Sequence, residues 1–209
     1  PITTTLHGLG CFPGEDKSSL GMLGMHGNYE ANLAMNKCDL MINVGARFDD
    51  RVTGRLDAFS PDSVKFHIDI DQSSINKNVK VDFHTNTDIT QTLKEINSFI
   101  ESNNIELEKK DYTNWWGQIN DWRKKECLHY EQGEEIIKPQ HAISRLYDLT
   151  TQKDTFITTE VGQHQMWAAQ YYKFSKPNRW ITSGGLGTMG FGMPAAVGAQ
   201  MANPDSLVI

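Results

Sequence analysis

WITSGGLGTMGFGMPAAVGAQMANPDSLVI, residues 180–209, decides the fold class of this chain. The stretch predicts a short strand, a glycine-rich turn, a helix of small residues, a Pro-Asp turn and a final apolar strand. Open α/β sheets bind ligands beyond the carboxyl ends of their parallel strands, where such turns lie. Because the sequence begins without Met and stops within a predicted strand, we expect an internal fragment of a larger enzyme.

The composition is that of an ordinary globular protein. The chain has 209 residues, of which 38% are apolar and 22% charged, with a net charge of −6. This acidic balance argues against a nucleic-acid partner, and no apolar run approaches the roughly 20 residues of a membrane helix. The three cysteines are widely spaced and in no metal-binding pattern, which favours a reducing compartment.

The first hundred residues alternate strands with helices. Apolar runs predict strands at 39–45 and 64–71, and helical composition or spacing predicts helices at 28–37 and 89–100. The strand at 64–71 alternates apolar and polar residues, so we expect one of its sides to be more exposed. This order of elements predicts a doubly wound parallel sheet.

A second α/β unit follows a stretch of different character. Residues 101–138 predict a linker with one tryptophan-bearing helix. Pro139 then opens a helix, for which we predict a buried stripe of Ala142, Ile143, Leu146 and Leu149. We therefore predict an α/β chain with a parallel-sheet central domain at 1–100, a linker at 101–138 and a second α/β domain at 139–209, with both domains truncated.

The glycine-rich turn matches a dinucleotide-binding pattern only in part. Gly185-Leu186-Gly187-Thr188-Met189-Gly190 has the G-x-G-x-x-G spacing between a strand and a helix. The acidic residue at the expected distance, Asp205, precedes the next strand instead of ending it. The turn therefore indicates a dinucleotide, plain helix–strand packing or another cofactor.

Three other turns also place polar groups where a sheet binds ligands. Gly24-Met25-His26-Gly27 opens a helix and predicts either an anion site or a plain turn. The stretch 45–51, Gly-Ala-Arg-Phe-Asp-Asp-Arg, predicts either a clamp for phosphate and ribose or surface ion pairs. Glu160 and His164 are candidates for an acid/base pair, although no nucleophile or metal motif accompanies them.

Taken together and in this order, these stretches resemble the acetolactate synthase (acetohydroxyacid synthase) family, in its catalytic large subunit. The resemblance covers nearly the whole chain. Its motifs are Thr4-Thr5-Leu6, Gly8-Leu9-Gly10, Phe12-Pro13-Gly14, Leu23 to Gly27, Gly45 to Gly54, His67-Ile68-Asp69-Ile70-Asp71, Val161 to Gln170 and Gly184 to Pro194.

The resemblance implies an enzyme that uses thiamine diphosphate and Mg²⁺ and also binds FAD. Such enzymes decarboxylate pyruvate and join the two-carbon unit to pyruvate or 2-oxobutyrate, a step of valine, leucine and isoleucine synthesis. It also implies a homodimer or higher oligomer. A regulatory small subunit is a candidate further partner. We expect a bacterial cytoplasmic location, with plastid or mitochondrion as alternatives. There are two alternative functions. One is that of a related thiamine-dependent carboligase or decarboxylase, and the other is that of a non-catalytic flavin-binding module.

The resemblance also assigns cofactor residues. It implies FAD contacts from Thr5, Leu6, Leu23, Gly24, Met25, His26, Gly45, Ala46, Arg47, Asp49, Asp50, Arg51, Val52, Asp69, Ile70, Asp88 and Ile89. The family usually has glycine where this chain has Thr87. We therefore expect the Cβ of Thr87 to crowd the adenine end of FAD. It implies thiamine diphosphate contacts from Val161, Gly162, Gln163, His164, Gly187 and Met189. The activating glutamate and the magnesium-binding Gly-Asp-Gly motif are expected outside the sequence, so no catalytic residue and no metal ligand is assigned here.

Overall fold

A computed structural model describes residues 1–106 and 110–209 and shows an α/β protein with parallel strands. Residues 107–109, which belong to the predicted linker, lie outside the described residues. The strands are β1 (Ile2–Thr4), β2 (Ser19–Met22), β3 (Leu40–Val44), β4 (Val64–Ile68), β5 (Phe83–Thr85), β6 (Thr155–Thr159), β7 (Trp180–Thr182) and β8 (Leu207–Val208). The helices are α1 (Tyr29–Lys37), α2 (Asp50–Thr53), α3 (Ile89–Ser102), α4 (Thr113–Arg123), α5 (Pro139–Thr150), α6 (Gln163–Tyr171) and α7 (Gly192–Ala202).

The chain packs as two compact units. The first unit combines Pro1–Ala31 with Glu126–Ile209, and the second is Asn32–Lys125. No helix in residues 1–106 and 110–209 is both long and apolar enough to span a bilayer.

The first unit is built on a three-stranded parallel sheet in the order β7-β6-β8. Its central strand β6 is almost entirely buried, and Ile157 and Thr159 on it are paired with Trp180 and Thr182 on β7. A separate parallel pair is formed by β1 and β2. Since β6 and β7 run in the same direction, the residues that follow them emerge at the same edge of the sheet.

An apolar core packs α5 and α6 against this sheet. Its buried members are Met22, Ile157, Ala168, Ala169, Tyr172, Phe174 and Trp180. On α5, Ile143, Leu146 and Tyr147 pack against the core. The predicted stripe on α5 is therefore wrong at two positions, because Ala142 and Leu149 are exposed and Tyr147 takes part instead. The stripe is shifted by the aromatic contact of Tyr147 with Tyr172, whose ring centroids lie 5.3 Å apart.

Asp154 joins the amino ends of all three strands in this sheet. Its carboxylate accepts two hydrogen bonds from the Arg179 guanidinium at 3.0 Å, one from Lys176 Nζ at 3.2 Å and one from Ser206 Oγ at 3.0 Å. Arg179 directly precedes β7, and Ser206 directly precedes β8. These donors, Arg179 foremost, lower the pKa of the Asp154 carboxyl to about 2.

Asp154→Asn is expected to lower the free energy of unfolding at pH 7 by about 1 kcal/mol, since the pairs are partly exposed to solvent. The folded-state pKa lies below that of the unfolded chain, so this stabilisation is present above about pH 4 and disappears as the pH falls towards 2. Urea unfolding of both proteins across this range checks the effect. Asp148→Asn, which breaks only an exposed pair with Arg145, is the control and should change little. A difference that is equally large at pH 7 and pH 2.5 would contradict the assignment.

The second unit has a three-stranded parallel sheet in the order β3-β4-β5. Its core packs Phe48, Phe59 and Val79 together with Met35, Met41, Val52 and Val81. The predicted strands at 39–45 and 64–71 correspond to β3 and β4, and the predicted helices at 28–37 and 89–100 correspond to α1 and α3.

The polar residues of β4 are buried, whereas its apolar residues range from exposed Val64 through partly buried Phe66 to Ile68, which is 1% exposed. Lys65 and His67 on β4, and Asp69 just after it, are all less than a tenth exposed. The opposite side of the sheet exposes Leu40, Ile42, Val44, Val64 and Phe83. One side of β4 is thus more exposed at the start of the strand, as predicted, and it is the apolar side with Val64, which ends at buried Ile68. A contiguous apolar face of this kind is typical of a surface that another part of a protein covers.

Candidate functional site

The first candidate site lies where β6 and β7 end. The residues after β6 (160–164) and those after β7 (183–190) emerge side by side, and a Cβ placed on Gly187 would lie only 3.0 Å from Val161 Cγ2. The start of α7 is equally close, because a Cβ on Gly192 would lie 3.1 Å from the backbone nitrogen of Glu160. The structure therefore brings together the two loops that carry the predicted thiamine diphosphate residues.

The glycine-rich turn is shaped by left-handed glycines, by one hydrogen bond within the turn and by one to Glu160 after β6. Gly187 and Gly190 have φ of +63° and +79°, values that favour glycine. The Thr188 N–H donates to Ser183 Oγ at 2.7 Å, and the Gly190 N–H donates to the Glu160 carboxylate. The side chains of Leu186 and Met189 project into solvent, 98% and 82% exposed, which leaves an apolar surface at the mouth of the turn.

A buried polar cluster beneath the turn was not predicted from the sequence. Gln165 on α6 is 8% exposed, and its Nε2 donates to Thr182 Oγ1 at 2.7 Å and to the Ser183 carbonyl at 3.3 Å. The Thr182 hydroxyl in turn lies 2.8 Å from the Thr159 hydroxyl. Gln165 thus connects α6, β6, β7 and the first residue of the turn.

Helix α6 presents its amino end at the same edge of the sheet. Gly162 caps it with φ of +141°, and the exposed residues Gln163 and His164 form its first turn. Free N–H groups at a helix amino end attract phosphate. Glu160 accepts a hydrogen bond from the Gly190 N–H and so holds the turn, while its acid/base pairing with His164 stays a prediction.

The amino-terminal segment of the first unit lies against the same turn. A Cβ on Gly184 would lie 2.0 Å from His7 Nε2, so the His7 imidazole rests directly on the glycine backbone. The neighbouring Leu6 packs against the core of this unit. The loop with Gly24 and Met25 is attached to α6, since Gln170 Nε2 donates to the His26 carbonyl at 2.9 Å.

In the second unit, the predicted flavin residues also follow the carboxyl ends of parallel strands. The loop 45–52 follows β3, Asp69 and Ile70 follow β4, and Asp88 and Ile89 follow β5. Gly45 has φ of +66°, and a Cβ there would lie 2.9 Å from Ile89 Cδ1. The loops after β3 and β5 therefore meet at Gly45.

Charged groups in these loops are already paired with one another. Arg47 binds Asp49 at 2.7 Å and Arg51 binds Asp50 at 2.9 Å, and all four side chains are about half exposed or more. Of the two alternatives, surface ion pairs are the arrangement present. Such exposed pairs are weak, typically 0–1 kcal/mol, so an anionic ligand can replace either carboxylate.

The acidic and hydroxyl groups at the ends of β4 and β5 have structural partners. The Asp69 carboxylate is buried, while Ile70 beside it is 72% exposed. The Asp88 carboxylate accepts from the Gln91 N–H at 3.1 Å and caps α3. The Thr87 hydroxyl contacts those of Thr85 and Thr92.

Two sequence models of known families match separate parts of the chain. Residues 1–96 match the family described as thiamine pyrophosphate enzyme, central domain, and residues 160–209 match its C-terminal TPP binding domain. The chain thus combines parts that match the central and the C-terminal TPP binding domains of thiamine pyrophosphate enzymes. The second match spans both loops at the ends of β6 and β7.

Within these thiamine pyrophosphate enzymes, the chain is similar to large subunits of acetolactate synthase. It is 47% identical to acetolactate synthase isozyme 3 large subunit of Escherichia coli and 47% identical to acetolactate synthase 1, chloroplastic, of Nicotiana tabacum. Both matches cover 100% of this chain, but 36% and 31% of the respective relatives. The chain therefore spans about a third of the length of the curated relatives it matches.

The first site fits the cofactor of these thiamine pyrophosphate enzymes. The glycines at 162, 187 and 190 leave the backbone accessible to a cofactor. The amino end of α6 suits a diphosphate. Val161 and Met189 offer apolar contact for an aromatic ring. The assignment of individual thiamine and flavin residues remains a prediction.

Magnesium has no assigned ligand in the chain. Within 1–106 and 110–209, no three or more His, Cys, Asp or Glu side chains are grouped so as to hold a metal ion.

Proposed function

We propose that the chain is part of an acetolactate synthase large subunit and that the whole protein joins a two-carbon unit from pyruvate to a second 2-oxoacid, pyruvate or 2-oxobutyrate. The observation that carries the proposal is the meeting of the Val161 loop with the Gly187 turn at the ends of β6 and β7. The extended similarity to acetolactate synthases favours this activity over that of other thiamine-dependent enzymes. The product class would feed synthesis of branched-chain amino acids.

In this proposal the chain's own residues hold and orient the cofactor. Gly162, Gln163 and His164 at the α6 amino end hold the diphosphate, with Val161 beside them. Gly187 contributes backbone and Met189 its side chain to the aminopyrimidine. When bound, thiamine diphosphate supplies the carbon nucleophile and the electron sink. Glu160 and Gln165 keep the turn in place through their hydrogen bonds to Gly190 and Ser183.

FAD is proposed as a second, structural cofactor. The residues proposed to contact it are those that the resemblance assigns: Thr5, Leu6, Leu23, Gly24, Met25, His26, Gly45, Ala46, Arg47, Asp49, Asp50, Arg51, Val52, Asp69, Ile70, Asp88 and Ile89. Gly45 is left-handed and allows the cofactor to approach the backbone closely. The exposed arginines suit phosphate, and exposed Ile70 suits an apolar ring.

The remaining proposals concern the whole protein. Mg²⁺ would bridge the diphosphate, the active enzyme would be a homodimer or larger, and a small regulatory subunit would accompany the large one, since the relatives are called large subunits. A bacterial cytoplasmic location is proposed, with a plastid or mitochondrion as the alternative because some relatives are chloroplastic. Domain boundaries at 100 and 138 also remain a proposal.

An assay of the whole protein with pyruvate tests the activity. With thiamine diphosphate, Mg²⁺ and FAD supplied, we expect carbon dioxide and acetolactate in equal amounts. Carbon dioxide without acetolactate would instead indicate a decarboxylase. Added 2-oxobutyrate should divert carbon to 2-aceto-2-hydroxybutyrate, which separates this activity from that of carboligases that use other acceptors.

We further propose that the 209-residue chain alone is inactive. The resemblance assigns it neither the activating glutamate nor the magnesium ligands. The same assay on the purified chain should give no acetolactate, and detectable product would refute this part of the proposal.

A further inference from the structure

His67 is a fully buried histidine that the proposed function does not use. It lies on the central strand β4 of the second unit and is 0% exposed. Its register neighbours are Asn43 on β3 and His84 on β5. Neither ring nitrogen makes a hydrogen bond of regular geometry within the described residues, and Nε2 instead makes a 3.3 Å polar contact with Asp69 Oδ2. A buried polar side chain without hydrogen bonds is costly and calls for a specific explanation.

The ring of His67 lies between the two strand-end loops of this unit. On one side, Nε2 is 3.3 Å from Oδ2 of Asp69, whose side chain is 8% exposed. On the other side, the Phe48 ring meets the imidazole edge-on, with centroids 5.2 Å apart. Phe48 belongs to the loop 45–52, and Asp69 begins the turn after β4. His67 thus contacts both proposed flavin loops of this unit.

The Asp69 carboxylate determines the shape of the turn after β4. Its Oδ1 accepts from the Asp71 N–H at 2.8 Å, while Oδ2 faces His67. Asn86 donates to the carbonyls of Asp69 and Ile70, both at 2.9 Å. With its carboxylate held inward, the turn presents Ile70 to solvent rather than the acid.

The Phe48 loop also depends on its neighbours. Phe48 has φ of +54°, which is rare for a bulky side chain and persists only where the surroundings hold it. It is 6% exposed, packed edge-on against Phe59 as well as His67, and its carbonyl accepts from Asn78 Nδ2 at 2.9 Å. His67 and Phe59 are therefore the two rings that hold this backbone.

We propose that His67 is a positioning residue for the flavin site, acting through Asp69. Its Nε2 keeps the Asp69 carboxylate turned into the protein, so that the turn after β4 offers Ile70 and backbone to the adenosine end of FAD. Asp69 then contributes to flavin binding by shaping its own turn, and not by a direct contact of its carboxylate. This inference rests on the proposed binding of FAD.

Two variants of the whole protein separate this role from simple packing. His67→Phe keeps an aromatic ring against Phe48 but removes the nitrogen facing Asp69. His67→Gln removes the ring but keeps a donor for the carboxylate. FAD affinity is measured by quenching of flavin fluorescence, with thiamine diphosphate affinity and the unfolding temperature measured on the same samples.

Action through Asp69 and packing against Phe48 predict opposite orders of FAD affinity for the two variants. If His67 acts through Asp69, His67→Phe binds FAD about tenfold more weakly while His67→Gln stays within about threefold of the parent, and thiamine diphosphate affinity is unchanged in both. The reverse order, or equal affinities, overturns the inference although FAD still binds. Failure of the unchanged protein to bind FAD overturns the proposed flavin site itself, and the inference with it.

Discussion

Gly27→Ala is expected to lower the free energy of unfolding by at least about 3 kcal/mol, because the added carbon collides with backbone on several sides. A Cβ at this position would lie 2.4 Å from the Met22 carbonyl oxygen and 2.5 and 2.6 Å from the carbonyl carbon and Cα of Leu23. Backbone atoms cannot swing away as the end of a side chain does. Urea unfolding of the parent and the variant gives the change.

The collision also affects the predicted flavin loop. The Asn28 N–H donates to the same Met22 carbonyl at 2.8 Å, and this bond closes the loop that contains Gly24, Met25 and His26. Moving the carbonyl to admit a methyl group breaks the closure. We therefore expect FAD affinity to fall in Gly27→Ala even at temperatures where the protein remains folded.

Gly198→Ala is the matched control. Gly198 lies within helix α7, and a Cβ there would have nothing within 4 Å. Alanine is the better helix former, so this variant should be more stable by about 0.5–1 kcal/mol. The prediction fails if the two glycine variants unfold at similar urea concentrations.

Elements with strong periodicity or composition could be predicted from sequence. Helix α3 begins at the predicted Ile89, and β3 coincides with the apolar run that Gly45 closes. The three-residue strand β5 was not predicted, since so short a strand has little pattern of its own and exists through its pairing with β4. Which side of β4 is buried depends on what packs there, namely the Phe48 and Phe59 cluster, and not on the polarity of the strand.

In the candidate sites, too, local patterns could be predicted from sequence, whereas contacts made by folding could not. Glycine turns at strand ends are local patterns, and the sequence located them at 45, 162 and 187. The side chains that hold these turns are distant in sequence: Gln165 acts on Ser183, and His7 rests on Gly184. Such partners are visible only after folding, because nothing near Gln165 in the sequence distinguishes it from the exposed Gln163.

Gln165→Leu is expected to weaken thiamine diphosphate binding in the whole protein about 10- to 100-fold. Leucine fills similar space on α6 but removes the donor to Thr182 Oγ1 and the Ser183 carbonyl. Leaving these part-buried acceptors without their donor costs about 1–3 kcal/mol. That cost falls on the glycine-rich turn, since Ser183 Oγ holds the Thr188 N–H within it.

Gln170→Leu makes the same change at another position of the same helix and is the matched control. Its Nε2 donates to the His26 carbonyl, in a loop assigned to FAD. If each glutamine holds its own loop, Gln165→Leu raises the thiamine diphosphate concentration needed for half-maximal activity while Gln170→Leu leaves it unchanged. Equal effects of the two variants would mean that damage to α6 itself, rather than release of the turn, weakens the site. Activity is also measured at saturating thiamine diphosphate. If Gln165→Leu only weakens binding, activity is fully restored at saturation. If the variant displaces Met189 as well, activity stays below that of the parent.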